Sequence, residues 1–269
     1  PLDIAKLICL KSTHELPLEE YEDSIGGHEK ISSNLPDFIA IPTAAGTGSE
    51  VGRSAVVTLK SSGRKTVIFS PHLLAKVVIA DPELTVRLPR ELTAATGMDA
   101  LTHNLEAYLA KNFHPICDGI ALEGIKLVSN NLRRVVEDGT DLEARGNMLV
   151  AAMMGAIAFQ KGLGVTHSLA HPLSTVSGLH HGLANAIMLP HAMVFNSQVS
   201  VDRLVDVASA LGVETEGLPP EEGAQAAINQ VSLLCQDIGI PTNLSQVGVQ
   251  AEKIPILAEQ AMQDICHQL

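Results

Sequence analysis

Two short stretches of the 269-residue sequence hold most of the side chains that could do chemistry. GVTHSLAHPLSTVSGLHHG, residues 164–182, packs His167, His171, His180 and His181 into a segment with almost no charge. His167 and His171 stand at i and i+4, on one face of a helix, and a third candidate follows a Gly-containing loop at His180 or His181. GMDALTHNLEAYLA, residues 97–110, repeats the spacing with Asp99 and His103, and Glu106 lies one turn further on nearly the same face. A carboxylate and an imidazole one turn apart can close on a single divalent ion. Taken alone, the Asp99–His103 pair reads more simply as a hydrogen bond on a helix surface. Joined to three histidines of matching spacing, it points to a metal site. Mixed nitrogen and oxygen donors suit Fe(II), Zn(II) or Mn(II) and disfavour calcium. No cysteine stands nearby, so a Lewis-acid role fits better than an iron–sulfur cluster.

A third stretch, PTAAGTGSE at 42–50, follows an expected strand and offers small residues, hydroxyls and backbone N–H groups able to hold phosphate. It has neither the lysine of a P-loop nor a GxGxxG pattern, and by itself it reads as an ordinary loop.

The elements that must position these groups divide by texture. DFIAIPTAAG, RSAVVTLK, RKTVIFS and AKVVIADP are short segments rich in Val and Ile, bounded by Gly, Ser, Pro and Asp, and read as strands. From about Pro89 the apolar spacing becomes helical. Residues 92–109, 118–136, 141–160, 201–211 and 221–238 are expected helices, and nothing after residue 90 resembles a strand. The expected organisation is an α/β part over residues 1–89, followed by an all-helical part over 90–269.

Composition narrows the function classes. A 46% hydrophobic chain with mean hydropathy +0.21 folds. A net charge of −12 with scattered Lys and Arg excludes nucleic acid as a partner. No apolar run reaches the roughly 18 residues of a membrane span. Cys9, Cys117, Cys235 and Cys266 form no CxxC pair, which fits reduced thiols in a cytoplasmic protein.

Together the stretches resemble the iron-containing (group III) alcohol dehydrogenases. PLDIAK is similar to the helix after that family's GGGS turn, and AIPTAAGTGSEV to its nucleotide-contacting loop. ADPELTVRLPRELTAATGMDALTHNLEAYLA resembles the domain junction and first metal helix. GLGVTHSLAHPLSTVSGLHHGLANAIMLPHAMVFN resembles the second metal segment, and GIPTNLSQVGV with LAEQAMQD the helical tail. The resemblance implies a dehydroquinate synthase-like architecture: a remnant of a dinucleotide-binding α/β domain, then an all-α metal domain. It implies metal ligation by Asp99, His103, His167 and His181, the last because the family's final ligand directly precedes a Gly, here Gly182. His171 becomes the imidazole that handles protons, and His180 a bystander. Thr43, Gly46, Thr47 and Ser49 fall on dinucleotide-contacting positions, with Lys65, Leu84 and Leu88 as weaker matches to the cofactor cleft. The implied cofactors are Fe2+, with Zn2+ as the alternative ion, and NAD or NADP. The implied substrate is a small alcohol or aldehyde, and family habit suggests a homodimer.

Two features depart from the pattern. Ala44 stands where the family often has a second Thr. The chain also opens at Pro1, where the GGGS turn should just have ended, so a fragment lacking the N-terminal part of the nucleotide domain and the extreme C-terminus is expected. That keeps rival readings open: an inactive metal-binding remnant, a glycerol dehydrogenase-like or dehydroquinate synthase-like enzyme, or a metal-dependent hydrolase with Glu106 as general base.

Overall fold

A computed structural model describes residues 1–59 and 65–268, with side chains through Cys266. Lys60 and Arg64, at the flanks of two expected strands, lie outside the described residues. The chain divides into two compact units, Pro1–Pro42 with Gly48–Asp81, and Thr43–Thr47 with Pro82–Leu269.

The first unit contains helix α1 (Leu2–Lys11) and two small sheets. Strands β1 (Ile39–Ala40) and β4 (Val77–Val78) pair in parallel, and β2 (Ser54–Thr58) pairs antiparallel with β3 (Lys65–Phe69). DFIAIPTAAG and AKVVIADP thus supply only two strand residues each. The polar face of α1 fastens this unit. The Lys6 ammonium is buried and donates to the carbonyls of Ser49, Gly52 and Ser54 at 2.7–2.8 Å. Asp3 accepts from the Ser49 hydroxyl and the Val56 N–H. Leu7, Leu10, Tyr21, Ile68 and Leu73 form the apolar core behind them.

The second unit is helical: α2 (Arg90–Leu109), α3 (Pro115–Glu137), α4 (Leu142–Ala158), α5 (Val165–Ser177), α6 (His181–Asn196), α7 (Val201–Ala210), α8 (Pro220–Asp237) and α9 (Ile254–Gln263). The five helices expected from spacing are all present. Of the helices that spacing did not list, α5 and α6 each carry an internal proline, Pro172 and Pro190, which interrupts the sequence pattern. Tertiary packing overrides that cost. Pro190 cannot donate to the carbonyl of Ala186, four residues back, and the Cys235 thiol takes up that carbonyl at 3.7 Å.

Helix α2 runs through the middle of this unit. Every residue from Gly97 to Tyr108 is buried. Leu101 and Leu105 pack with Ile125, Val128 and Leu132 of α3 and with Met148 of α4. A helix buried all round should be apolar, yet α2 carries Asp99, His103, Asn104 and Glu106 at 0–4% exposure. The Asn104 amide nitrogen is accounted for by carbonyls, donating to Ala100 and Ala151 at 2.8 and 2.9 Å. The other three build the site. No single helix among the described residues is long and apolar enough to cross a membrane.

Candidate metal centre

The surface reading of the Asp99–His103 pair fails, because the two residues are 4% and 2% exposed. Their hydrogen bonds fix the tautomers. His103 Nδ1 lies 2.7 Å from the Asp99 backbone carbonyl, which only accepts, so Nδ1 carries the proton and Nε2 presents a lone pair. Burial pushes the His103 imidazole down to about 4 despite the Asp99 carboxylate beside it, leaving the ring neutral at physiological pH.

His167, in the first turn of α5, is set in the same way by Glu106. Its Nδ1 stands 2.6 Å from Glu106 Oε2, and both residues are about 1% exposed. Burial alone would raise the Glu106 carboxyl. The hydrogen bonds from His167 and Thr166 prevail and hold it below the usual carboxylate range. Glu106 also accepts the N–H groups of Gly164, Thr166 and His167, at 3.0, 2.5 and 3.4 Å. No neighbouring side chain caps α5, so a carboxylate from α2 caps it across the bundle. Glu106 is thereby committed and unsuited to the general-base role that a hydrolase would require.

The consequence is an unfavourable encounter. His103 Nε2 and His167 Nε2 face each other at 3.1 Å, and two neutral rings protonated at Nδ1 would each present a lone pair there. Two acceptors at that distance repel unless a cation lies between them. Nitrogen ligands on a tetrahedral divalent ion stand roughly 3.3–3.4 Å apart, given metal–nitrogen bonds of about 2.0–2.1 Å. Asp99, His103 and His167 offer ligand atoms that all lie within 4.8 Å of one another. The Asp99 carboxyl would be raised by burial, but His103, His181, His167 and the Asn185 amide hold it well below its ordinary value. Ionised carboxylate and neutral imidazoles are the forms that bind metal.

His181 opens α6 and reaches the group from the other side, its Nε2 3.7 Å from Asp99 Oδ1. A Schellman-type ending with Gly178 at φ +69 turns the chain back after α5, so only Gly178, Leu179 and His180 separate α5 from α6. The next residue, Gly182, has no room for a side chain, since a Cβ there would run into the Ala95 carbonyl of α2. That close approach gives a physical reason for a glycine after His181. One turn into α6, the Asn185 amide donates to Asp99 Oδ1 at 2.7 Å and lies 3.3 Å from the Nε2 atoms of both His167 and His181. His171 stacks on His181 with ring centroids 5.5 Å apart and donates from Nδ1 to Asp264 Oδ2 at 2.7 Å. His180 is exposed.

Comparisons with known proteins identify the family. Residues 93–269 match the profile of the Fe-containing alcohol dehydrogenase family, C-terminal, and residues 1–82 match that of iron-containing alcohol dehydrogenase. The chain belongs to the iron-containing alcohol dehydrogenase family. It is 42% identical over 275 residues to 4-hydroxybutyrate dehydrogenase of Cupriavidus necator, covering 99% of this chain and 70% of that protein. It is 40% identical to 1,3-propanediol dehydrogenase of Citrobacter freundii, covering 98% of this chain and 67% of the relative. A crystal structure of 1,3-propanediol oxidoreductase superposes with a TM-score of 0.95 at 39% identity, over 100% of this chain and 69% of that one. The protein is thus a metal-dependent oxidoreductase that interconverts alcohols with aldehydes or ketones.

In this member of the family the residues expected at the cofactor are divided between the units. Thr43, Gly46 and Thr47 fall in the second unit, and the last two approach Asp99. Thr47 Oγ1 donates to Asp99 Oδ2 at 2.9 Å, and a Cβ on Gly46 would stand 3.4 Å from the same oxygen. Thr43 is exposed. Leu88 lines a small cavity with Ala45, Thr93, Thr96 and Met148, whereas Leu84 is 48% exposed. Ser49 and Lys65 lie in the first unit. The Ser49 hydroxyl is engaged with Asp3 and Lys6, and Lys65 starts β3 opposite Thr58. Sequence reasoning overlooked Asn185 and Asp264, and named Glu106 only as the general base that the rival hydrolase reading would need. The i+4 spacing of His181 and Asn185 was a usable signal. Asp264, 93 residues beyond His171, left none.

Proposed function

We propose that Asp99, His103, His167 and His181 hold Fe(II), with Zn(II) as the alternative ion, and that the chain uses NAD(H) to oxidise small alcohols or reduce the matching aldehydes. The observation that carries this reading is the 3.1 Å approach of the His103 and His167 Nε2 atoms beside the buried Asp99 carboxyl. One carboxylate among three imidazoles leaves a divalent ion net positive, and such a centre supplies Lewis-acid polarisation of the substrate oxygen, while a nicotinamide accepts or donates the hydride.

The chain's own residues do the rest. Glu106 keeps His167 in the Nδ1-protonated tautomer, and Asn185 and Thr47 each hold one oxygen of Asp99. Thr47 also ties the loop that carries Thr43 and Gly46 to a metal ligand, which supports a nicotinamide contact there. His171 takes the proton released from the substrate hydroxyl and passes it to solvent, and its 27% exposure gives it that access. NAD over NADP follows the name of one relative, the NAD-dependent methanol dehydrogenase of Bacillus methanolicus, 36% identical over 267 residues. The four unpaired cysteines fit a cytoplasmic setting, and a homodimer is the proposed assembly.

The test is to purify the chain without air, measure its metal content, and titrate it with NADH while following nicotinamide fluorescence. One metal per chain, with fluorescence enhancement and alcohol-dependent NADH formation, supports the reading. A bound metal with neither cofactor binding nor turnover points instead to a metal-binding remnant.

A further inference from the structure

His171 and Asp264 form a pair that the metal centre does not require. His171 Nδ1 lies 2.7 Å from Asp264 Oδ2, and the side chains are 27% and 18% exposed. Asp264 terminates α9 as its C-cap and precedes the turn Ile265–Gln268, so its main-chain position is set by packing of α9 and this turn on α5. Its second oxygen, Oδ1, accepts the Cys266 N–H at 2.9 Å. One carboxylate oxygen is therefore held by its own backbone turn, and the other is directed at the imidazole.

We infer that Asp264 is a positioning residue for the proton-handling step: it fixes the plane and tautomer of His171. A carboxylate that accepts from Nδ1 puts the ring's proton there and leaves Nε2 as the basic atom. Without Asp264, a neutral imidazole is free to take the other tautomer or to rotate about its last torsion, and a fraction of molecules present the wrong nitrogen. The arrangement follows the logic of any acid–base histidine backed by a carboxylate, where the acid orients and does not itself transfer a proton.

A competing use of the same residues is a second metal site, because His171, Asp264 and Cys266 offer ligand atoms within 4.8 Å of one another. Geometry favours the dyad. Nδ1 already donates a direct hydrogen bond to Asp264. Burial and the adjacent Asp264 carboxylate also push the Cys266 thiol far above its usual range, which keeps it a neutral thiol.

The inference rests on His171 being the proton-handling residue, so the experiment separates the two. Metal-loaded wild-type protein and the His171→Gln, Asp264→Ala and Asp264→Glu variants are compared by metal content, by kcat and KM, and by long-range proton–nitrogen NMR of 15N-histidine-labelled protein at one neutral pH. The His171 signal is assigned by its loss in His171→Gln. In the wild type it should report the Nδ1-protonated tautomer. In Asp264→Ala it should shift to the averaged or Nε2-protonated pattern, with kcat down about 10- to 100-fold, KM little changed and metal content intact. Asp264→Glu should restore part of both signals. An unchanged His171 tautomer in Asp264→Ala overturns the inference, as does a second metal equivalent lost in that variant. Full activity of His171→Gln instead overturns the underlying reading, whatever Asp264 does.

Discussion

His167 and His171 stand one turn apart on α5, and each donates from Nδ1 to a carboxylate, Glu106 at 2.6 Å and Asp264 at 2.7 Å. Their local chemistry is nearly the same, and their surroundings are not. His167 and Glu106 are about 1% exposed, whereas His171 and Asp264 are 27% and 18% exposed. A buried imidazole with its lone pair opposite that of His103 is built to hold a cation. One with access to water is suited to exchanging a proton with it. On the proposed reading the same motif does two jobs, and burial decides which.

The sharpest way to break this comparison is to remove each histidine's neighbours in turn. His181→Ala should lose bound metal and activity together, because it deletes a ligand. His171→Ala should retain metal while turnover falls roughly 100-fold or more, the scale of a lost acid–base group. His180→Ala should leave metal content near that of the wild type. Metal analysis and steady-state rates on the three proteins check this, and an empty site in His171→Ala would erase the division between the two turns.

Glu106→Ala attacks the buried side. It strands His167 and the first N–H groups of α5 without their acceptor, and breaking such a buried pair by removing one partner costs about 3–5 kcal/mol. Urea unfolding of the metal-free protein should show it. A loss under ~1 kcal/mol would mean that water replaces the carboxylate and that this region is not the dry one described. Gly182→Ala probes the close approach that brings His181 to the cluster. The new methyl meets the Ala95 carbonyl, so α6 must shift, at about 1–3 kcal/mol and with weakened metal binding. Unchanged stability and metal affinity would show that α6 has slack.

The contrast between the two turns also marks where sequence reading stops. The candidate metal site was legible where its proposed ligands Asp99 and His103 form a local pair and where the HSLAH run marks His167, although spacing alone would have made His171 a ligand too. The long helices were legible from their apolar period, while α5 showed only through its histidine spacing and α6, interrupted by Pro190, was not listed. Burial was the quantity that spacing could not supply. Taken alone, Asp99–His103 read as a surface pair because nothing in the local sequence of α2 announces that the helix is enclosed on all sides. Nor could spacing show that Glu106 caps α5 from 58 residues away, or that Asp264 backs His171. Such partners exist only once helices pack.

The smallest expected effect tests the two carboxylates through acid. Both are held below their ordinary range. For Asp264, burial raises the carboxyl, but the His171 hydrogen bond and charge together with the Cys266 contacts lower it by more. A carboxylate whose folded value is depressed contributes stability that is fully present above its unfolded value, about 3.9 for Asp, and that is lost as pH falls through the folded value. Asp264→Asn lacks this contribution at every pH. Metal-free wild type should therefore be the more stable protein at pH 7, and the gap should close below about pH 4. Glu106→Gln should show the same convergence with a wider starting gap, since its partners are more deeply buried. Urea midpoints from pH 7 down to the acid limb measure both. A gap for Asp264→Asn that stays constant as pH falls would mean that the charge of Asp264 contributes nothing to its hold on His171, and that packing alone places the more exposed pair.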